Sequence, residues 1–129
     1  MAPAPIRRKV LIVEDEPSIR NIMYVLLAGL GCEGDVATNS DQALSMIRRD
    51  RFDAVLVDLR TTHIPPDQMV TAITDLRPSL VGRVLVITGE VSDPKTLERL
   101  ARDAVPHIPR SRITSDLWGR LQALLGFAH

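Results

Sequence analysis

The chain has 129 residues, 45% hydrophobic and 25% charged, the balance of one globular domain of ordinary size rather than a disordered tail. Its 16 Lys and Arg cancel its 16 Asp and Glu, so no global field gathers nucleic acid or an anionic membrane, and 3% aromatic content offers no stacking platform for bases. The single cysteine, Cys32, excludes an internal disulfide and a multi-thiolate metal site and fits a reducing, cytoplasmic setting; no apolar run reaches the ~20 residues of a membrane span, and Met1 to Lys9 lacks the apolar stretch of a signal peptide.

In chain order, residues 1–8 form a Pro-rich head that is expected to fray. Val10-Leu11-Ile12-Val13 is continuously apolar and β-branched, too short for a helix, and predicts a strand buried on both faces. After Pro17, a residue suited to a helix start, Ile19, Ile22, Met23, Leu26 and Leu30 make one apolar stripe. A weaker strand is expected over Cys32 to Thr38. A helix capped by Ser40 then carries Ala43, Leu44 and Ile47, with Arg48-Arg49 suiting its C-terminus.

Val55-Leu56-Val57 predicts another buried strand. The helix after Pro66 carries Met69, Val70, Ile73 and Leu76 and must stop near Arg77, because Pro78 follows. Val84-Leu85-Val86-Ile87 is the next apolar strand. Asp93-Pro94 pairs an N-cap with a first-turn proline and opens a helix with Leu97, Leu100 and Ala101. The last strand candidate, Ala104 to Pro109, contains Pro106 and Pro109, which cannot donate ladder hydrogen bonds and belong at a sheet edge. A final helix from about Ser115 to Leu125 turns Leu117, Leu121, Leu124 and Leu125 inward and stops at Gly126.

Five β-α units predict a single α/β domain with a parallel sheet between two helical layers. The apolar first, third and fourth strands should be central and the weak second and fifth should be edges. With right-handed crossovers the spatial order is 2-1-3-4-5, the flavodoxin-like (βα)5 arrangement. Such a sheet binds ligands beyond its C-terminal strand ends, at the switch between strands 1 and 3. There the chain places Glu14-Asp15-Glu16 after the first strand, Asp58 after the third, Thr88 at the end of the fourth and Arg110 after the fifth.

Clustered carboxylates repel, so they must raise a pKa or attract a cation; all-oxygen ligation favours a hard ion, Mg²⁺ above all. Asp58 can then act as a nucleophile toward a phosphoryl group, with Arg110 neutralising the transferring oxygens and Thr88 donating a hydrogen bond to one of them. Taken singly, each residue has a plainer role: Asp15 or Glu16 as the cap before Pro17, Asp58 as a loop carboxylate, Thr88 as a strand-end threonine. Their joint placement at four strand ends argues for a site.

With these residues in hand, the chain resembles a response-regulator receiver domain of two-component signalling over nearly its whole length, Lys9 to about Leu125. The resemblance is carried by VLIVEDEPSIR (Val10 to Arg20), FDAVLVDLR (Phe52 to Arg60) and VLVITGE (Val84 to Glu90). It implies Asp58 as phosphoacceptor. Glu14, Asp15, Asp58 and the backbone carbonyl of Arg60 would be the protein's Mg²⁺ ligands, Asp15 being the direct ligand of the acidic pair. Thr88 falls at the switch hydroxyl and His107 at the switch aromatic. Two departures stand out. Arg110-Ser111 replaces the family's lysine and the proline that usually follows it, and a longer planar guanidinium is not equivalent to an ammonium. The usual turn after the aspartate is also missing, the stretch here being Arg60-Thr61-Thr62-His63-Ile64-Pro65-Pro66-Asp67-Gln68.

The resemblance thus implies a stand-alone receiver over residues 9–126 with no output domain. Its kinase or phosphotransfer partner would supply the phosphoryl group, its output would be a contact to a downstream protein with no direct nucleic-acid or membrane contact, and a homodimer is left open. The face of strand 4, helix 4, strand 5 and helix 5 is expected to shift on phosphorylation. No catalysis beyond self-phosphorylation and self-dephosphorylation at Asp58 is expected. A degenerate receiver acting as a phosphorylation-independent docking module is the alternative, and a small hydrolase with an aspartyl phosphate ranks far behind for want of a cap over its substrate. Among lesser features, His63 is expected in solvent, Arg48, Arg49 and Arg51 make a solvated helix end, Cys32 packs at an edge strand, and Trp118 packs between helices.

Overall fold

A computed structural model describes residues 7–62, 64–89 and 93–126. Five strands, β1 (Lys9–Val13), β2 (Glu33–Ala37), β3 (Ala54–Asp58), β4 (Val84–Thr88) and β5 (His107–Pro109), alternate with five helices, α1 (Pro17–Gly29), α2 (Ser40–Arg49), α3 (Pro66–Leu76), α4 (Pro94–Arg102) and α5 (Ile113–Leu125). Short 3₁₀ turns at Pro78–Leu80 and Arg110–Arg112 precede β4 and α5. The sheet is wholly parallel in the order β2-β1-β3-β4-β5, as the strength of the five apolar runs predicts.

Side chains alternate across the pleat, so each central strand feeds two cores. Val10, Ile12, Leu56, Leu85, Ile87 and Ile108 pack with Met23 and Leu27 of α1 and Leu117 and Leu121 of α5. Leu11, Val13, Val55, Val57 and Val84 face the opposite way, against Ala43 and Ile47 of α2 and Met69 and Ile73 of α3. Register then aligns the C-terminal ends: Val13 lies beside Ala37 and Val57, Asp58 beside Ile87, and Thr88 beside Pro109. The residues that follow these positions are therefore gathered at one edge of the sheet.

Three local expectations need correction. On α1 the fully buried residues are Met23 and Leu27, while Leu26 and Leu30 are only partly covered, so the stripe is rotated toward Leu27. The cap of α2 is Asn39, whose side chain accepts the Gln42 amide at 2.8 Å; Ser40 is already helical and its buried hydroxyl has no hydrogen-bond partner. A cap needs an extended backbone, and Asn39 has it at φ −157°. The last helix begins at Ile113, ahead of Ser115, because Ile113 drops into the core at 2% exposure. Gly126 closes that helix at φ +68°, a left-handed conformation that favours glycine. Trp118 is more exposed than a helix-packing residue, at 39%, although one side of its ring lies against Gly29 of α1, where a Cβ would come within 2.7 Å of it.

Candidate functional site

Glu14 continues the β1 ladder by donating its amide to the Ala37 carbonyl at 3.0 Å, which carries its side chain into the crevice at 0% exposure. Asp58 ends β3 at 2% exposure. The chain then turns at once. The Arg60 amide donates to Asp58 Oδ1 at 2.8 Å and the Thr61 amide to the Asp58 carbonyl at 3.1 Å. Past β5, Arg110 opens a 3₁₀ turn and sends its guanidinium back over the acids. Its Nη2 lies 2.7 Å from Glu16 Oε2, 3.1 Å from Asp58 Oδ2 and 3.6 Å from Glu14 Oε1. The departure from lysine thus still delivers a cation to the third strand's aspartate.

Burial pushes the Glu14 carboxyl up from 4.5 to about 8, reinforced by a hydrogen bond with the Asp58 side chain and by that neighbour's charge. The Glu16 amide, which donates to Glu14 Oε1 at 3.0 Å, and the Arg110 charge pull the other way without cancelling the effect. The net direction is upward, toward a Glu14 carboxyl that holds its proton more readily than an ordinary one. Its second oxygen, Oε2, is buried with no hydrogen-bond partner among the described residues. An orphaned carboxylate oxygen beside Asp58 is a donor set that a hard divalent ion would satisfy. Among the described residues no three acidic, His or Cys side chains already form a metal cage. An ion held here would accordingly draw on one or two carboxylates, a carbonyl and waters, the habit of Mg²⁺.

Thr61 joins the site although sequence alone did not single it out, and Glu16, read from sequence as part of the acidic run and as a possible cap, enters the site as an acceptor. Thr61, 3% exposed, donates its hydroxyl to Asp15 Oδ1 at 3.1 Å and accepts the Asp15 amide at 3.3 Å. Glu16, expected as a possible cap for α1, makes no cap bond; it accepts Arg110, Arg60 Nη2 at 3.3 Å and the Ser18 hydroxyl at 3.0 Å. The available signal for Thr61 was a pair of threonines where the family has its turn. Thr62 pins that loop, donating to the carbonyls of Leu59 at 3.2 Å and Ile64 at 3.3 Å.

The remaining candidates are Thr88 and His107. Thr88 is buried and its hydroxyl donates to the Ile108 carbonyl across to β5 at 3.4 Å. His107 is half-buried, with Nδ1 2.9 Å from the Val105 carbonyl, and pairs in register with Val86. His63 lies outside the described residues. No helix of the described residues is long and apolar enough to cross a membrane.

Comparison with known proteins follows the same lines. Residues 10–121 match the family model of the response regulator receiver domain. The chain is 37% identical over 119 residues to the DNA-binding response regulator MtrA of Mycolicibacterium smegmatis, covering 92% of this chain and 51% of that protein. It is 28% identical over 120 residues to the transcriptional regulatory protein ZraR of Escherichia coli, covering 93% of this chain and 27% of that protein. The chain thus spans about a quarter to a half of these relatives. Among solved structures, a CheY-like receiver domain protein from Methanospirillum hungatei superposes with a TM-score of 0.81 at 19% identity, over 94% of this chain and 95% of that one, a likeness of fold.

Proposed function

This chain belongs to the response regulator receiver domain family of two-component systems, and from that premise we propose that it is a phospho-accepting switch in which Asp58 takes a phosphoryl group from a partner histidine kinase or phosphotransfer protein. Residues 9–126 form the receiver in this proposal. Its output is a protein contact made by the α4-β5-α5 face together with β4.

The observation that carries this function is Arg110 Nη2 at 3.1 Å from the buried Asp58 carboxylate. A nucleophilic carboxylate needs a cation positioned where the charge of the incoming phosphoryl group develops, and the guanidinium supplies N–H donors there. One Asp58 oxygen attacks phosphorus as the bond to the donor nitrogen breaks, leaving an acyl phosphate. Arg60 donates its amide to the other oxygen of the carboxylate and holds its plane. Glu14, Asp15, Asp58 and the Arg60 carbonyl would hold Mg²⁺, whose contribution when bound is neutralisation of the phosphoryl oxygens. Thr88 would exchange its long bond to Ile108 for a phosphoryl oxygen, and that exchange, bordered by His107 and Arg110, would couple the site to β5. Only a difference in affinity between two conformations can shift their balance, and the relocated Thr88 and Arg110 bonds supply such a difference.

The docking-module alternative rests on two motives, the missing lysine and the altered loop after Asp58. Arg110 against Asp58 weakens the first of these.

The test is incubation with Mg²⁺ and a small acyl phosphate donor, followed by intact-mass measurement. One phosphoryl group is expected on the unaltered chain and none on Asp58→Asn. No incorporation, or equal incorporation by the variant, overturns the proposal.

A further inference from the structure

Resting on Glu14, Asp15 and Asp58 as a divalent-ion site, we infer that Glu16 is a positioning residue that divides the Arg110 guanidinium between itself and Asp58, and so sets how readily a divalent cation enters the pocket. Glu16 occupies the cap position of α1 with extended backbone (φ −86°, ψ 117°). An acceptor there ordinarily takes an amide from the first helical turn, and a negative charge is favoured at that helix end. The Glu16 side chain takes no such amide. It is turned over the crevice, where Oε2 receives Arg110 at 2.7 Å and Arg60 at 3.3 Å. Its own amide is tied to Glu14 Oε1 at 3.0 Å, which links the turn to the pocket acid.

Three carboxylates then compete for one nitrogen. Arg110 Nη2 carries two hydrogens but faces Glu16 at 2.7 Å, Asp58 at 3.1 Å and Glu14 at 3.6 Å. Its Nε is buried without a partner among the described residues, so no bidentate fork among them locks the guanidinium to any one acid. Glu16 has a side chain 42% exposed and marks the mouth, whereas Asp58 and Glu14 are at the floor at 3% and 1%. Attraction to Glu16 therefore draws the guanidinium outward. A divalent cation needs the same floor oxygens, and two cations cannot share them without repulsion. Without the Glu16 charge, only Asp58 and Glu14 hold the guanidinium, and it becomes a stronger competitor for the ion. A planar group with several donors can be divided in this way; a compact ammonium is a poorer substitute.

The experiment is calorimetric titration of the full chain with Mg²⁺ for the unaltered protein, Glu16→Gln, Arg110→Met and the double variant, with a thermal melt of each as a folding control. With Arg110 present, Glu16→Gln should weaken Mg²⁺ binding about tenfold; in the Arg110→Met background it should weaken it less than about threefold, the residue of a plain charge effect. Glu16→Ser separates position from folding, since serine is a good cap: it should preserve the melting temperature and still weaken Mg²⁺ binding. Equal weakening in both backgrounds, or unchanged affinity in Glu16→Gln and Glu16→Ser, overturns the inference while the divalent site stands. Absence of Mg²⁺ binding in both the unaltered chain and Arg110→Met overturns the site itself and the inference with it.

Discussion

Thr61 grips Asp15 from two directions, donating its hydroxyl to Asp15 Oδ1 at 3.1 Å and accepting the Asp15 amide at 3.3 Å. The two residues lie 46 positions apart, and this pair joins the turn after β1 to the loop after β3. Asp15, one of the three acids of the proposed ion site, is thereby oriented from the loop that departs most from the family pattern.

Thr61→Val removes the hydroxyl at nearly constant volume and leaves the Asp15 amide without its acceptor. A loss of about 1 kcal/mol is expected, read as a lower urea midpoint with an unchanged slope. An unshifted midpoint would mean that solvent replaces both bonds at no cost.

Glu14 makes metal-free stability depend on pH with a definite sign. In the unfolded chain its carboxyl ionises above 4.5, whereas in the fold it keeps the proton until about 8. Between those values the folded state binds more protons, so its stability falls as pH rises through that window and is highest, for this group, below it. Urea midpoints measured in chelator should decline from about pH 5 to about pH 8, and Glu14→Gln should flatten the decline. A midpoint that rises over that interval in the unaltered chain, relative to Glu14→Gln, contradicts the burial argument.

The start of α2 separates two neighbouring polar residues. Asn39→Ala removes the bond to the Gln42 amide and should cost about 1 kcal/mol. Ser40→Ala removes a buried hydroxyl that has no partner and should be neutral or slightly stabilising. Chemical denaturation of the two variants decides the matter; a larger loss from Ser40→Ala would return the cap to Ser40.

The phase of α1 can be read the same way. Leu27 is 1% exposed and packs against the β1 and β3 side chains of its core, whereas Leu26 is only partly covered. Leu27→Ala should cost about 3 kcal/mol, within the range for fully buried leucines, and Leu26→Ala less than half as much. Comparable losses would place the stripe back at Leu26.

Much of this molecule was legible one segment at a time. The runs at Val10, Val55 and Val84 are apolar on consecutive residues, which only a strand covered on both sides requires, and prolines at 106 and 109 confine the fifth strand to an edge. From that ordering alone, Glu14, Asp58 and Arg110 had to share one end of the sheet. The rotation of α1 and the cap of α2 were less legible, because neighbouring residues such as Leu26 and Leu27, or Asn39 and Ser40, have nearly equal propensity and packing chooses between them.

Local periodicity therefore determined the strand order and the end of the sheet where the acids and the arginine meet, because burial leaves its mark on residues two to four positions apart. The division of Arg110 among Glu14, Glu16 and Asp58, the release of Glu16 from its capping role and the hold of Thr61 on Asp15 were decided only by the tertiary structure. Those partners are 46 to 96 residues apart in the chain, and the rotamers that bring them together are selected by side chains from several elements at once, with no counterpart in any local pattern.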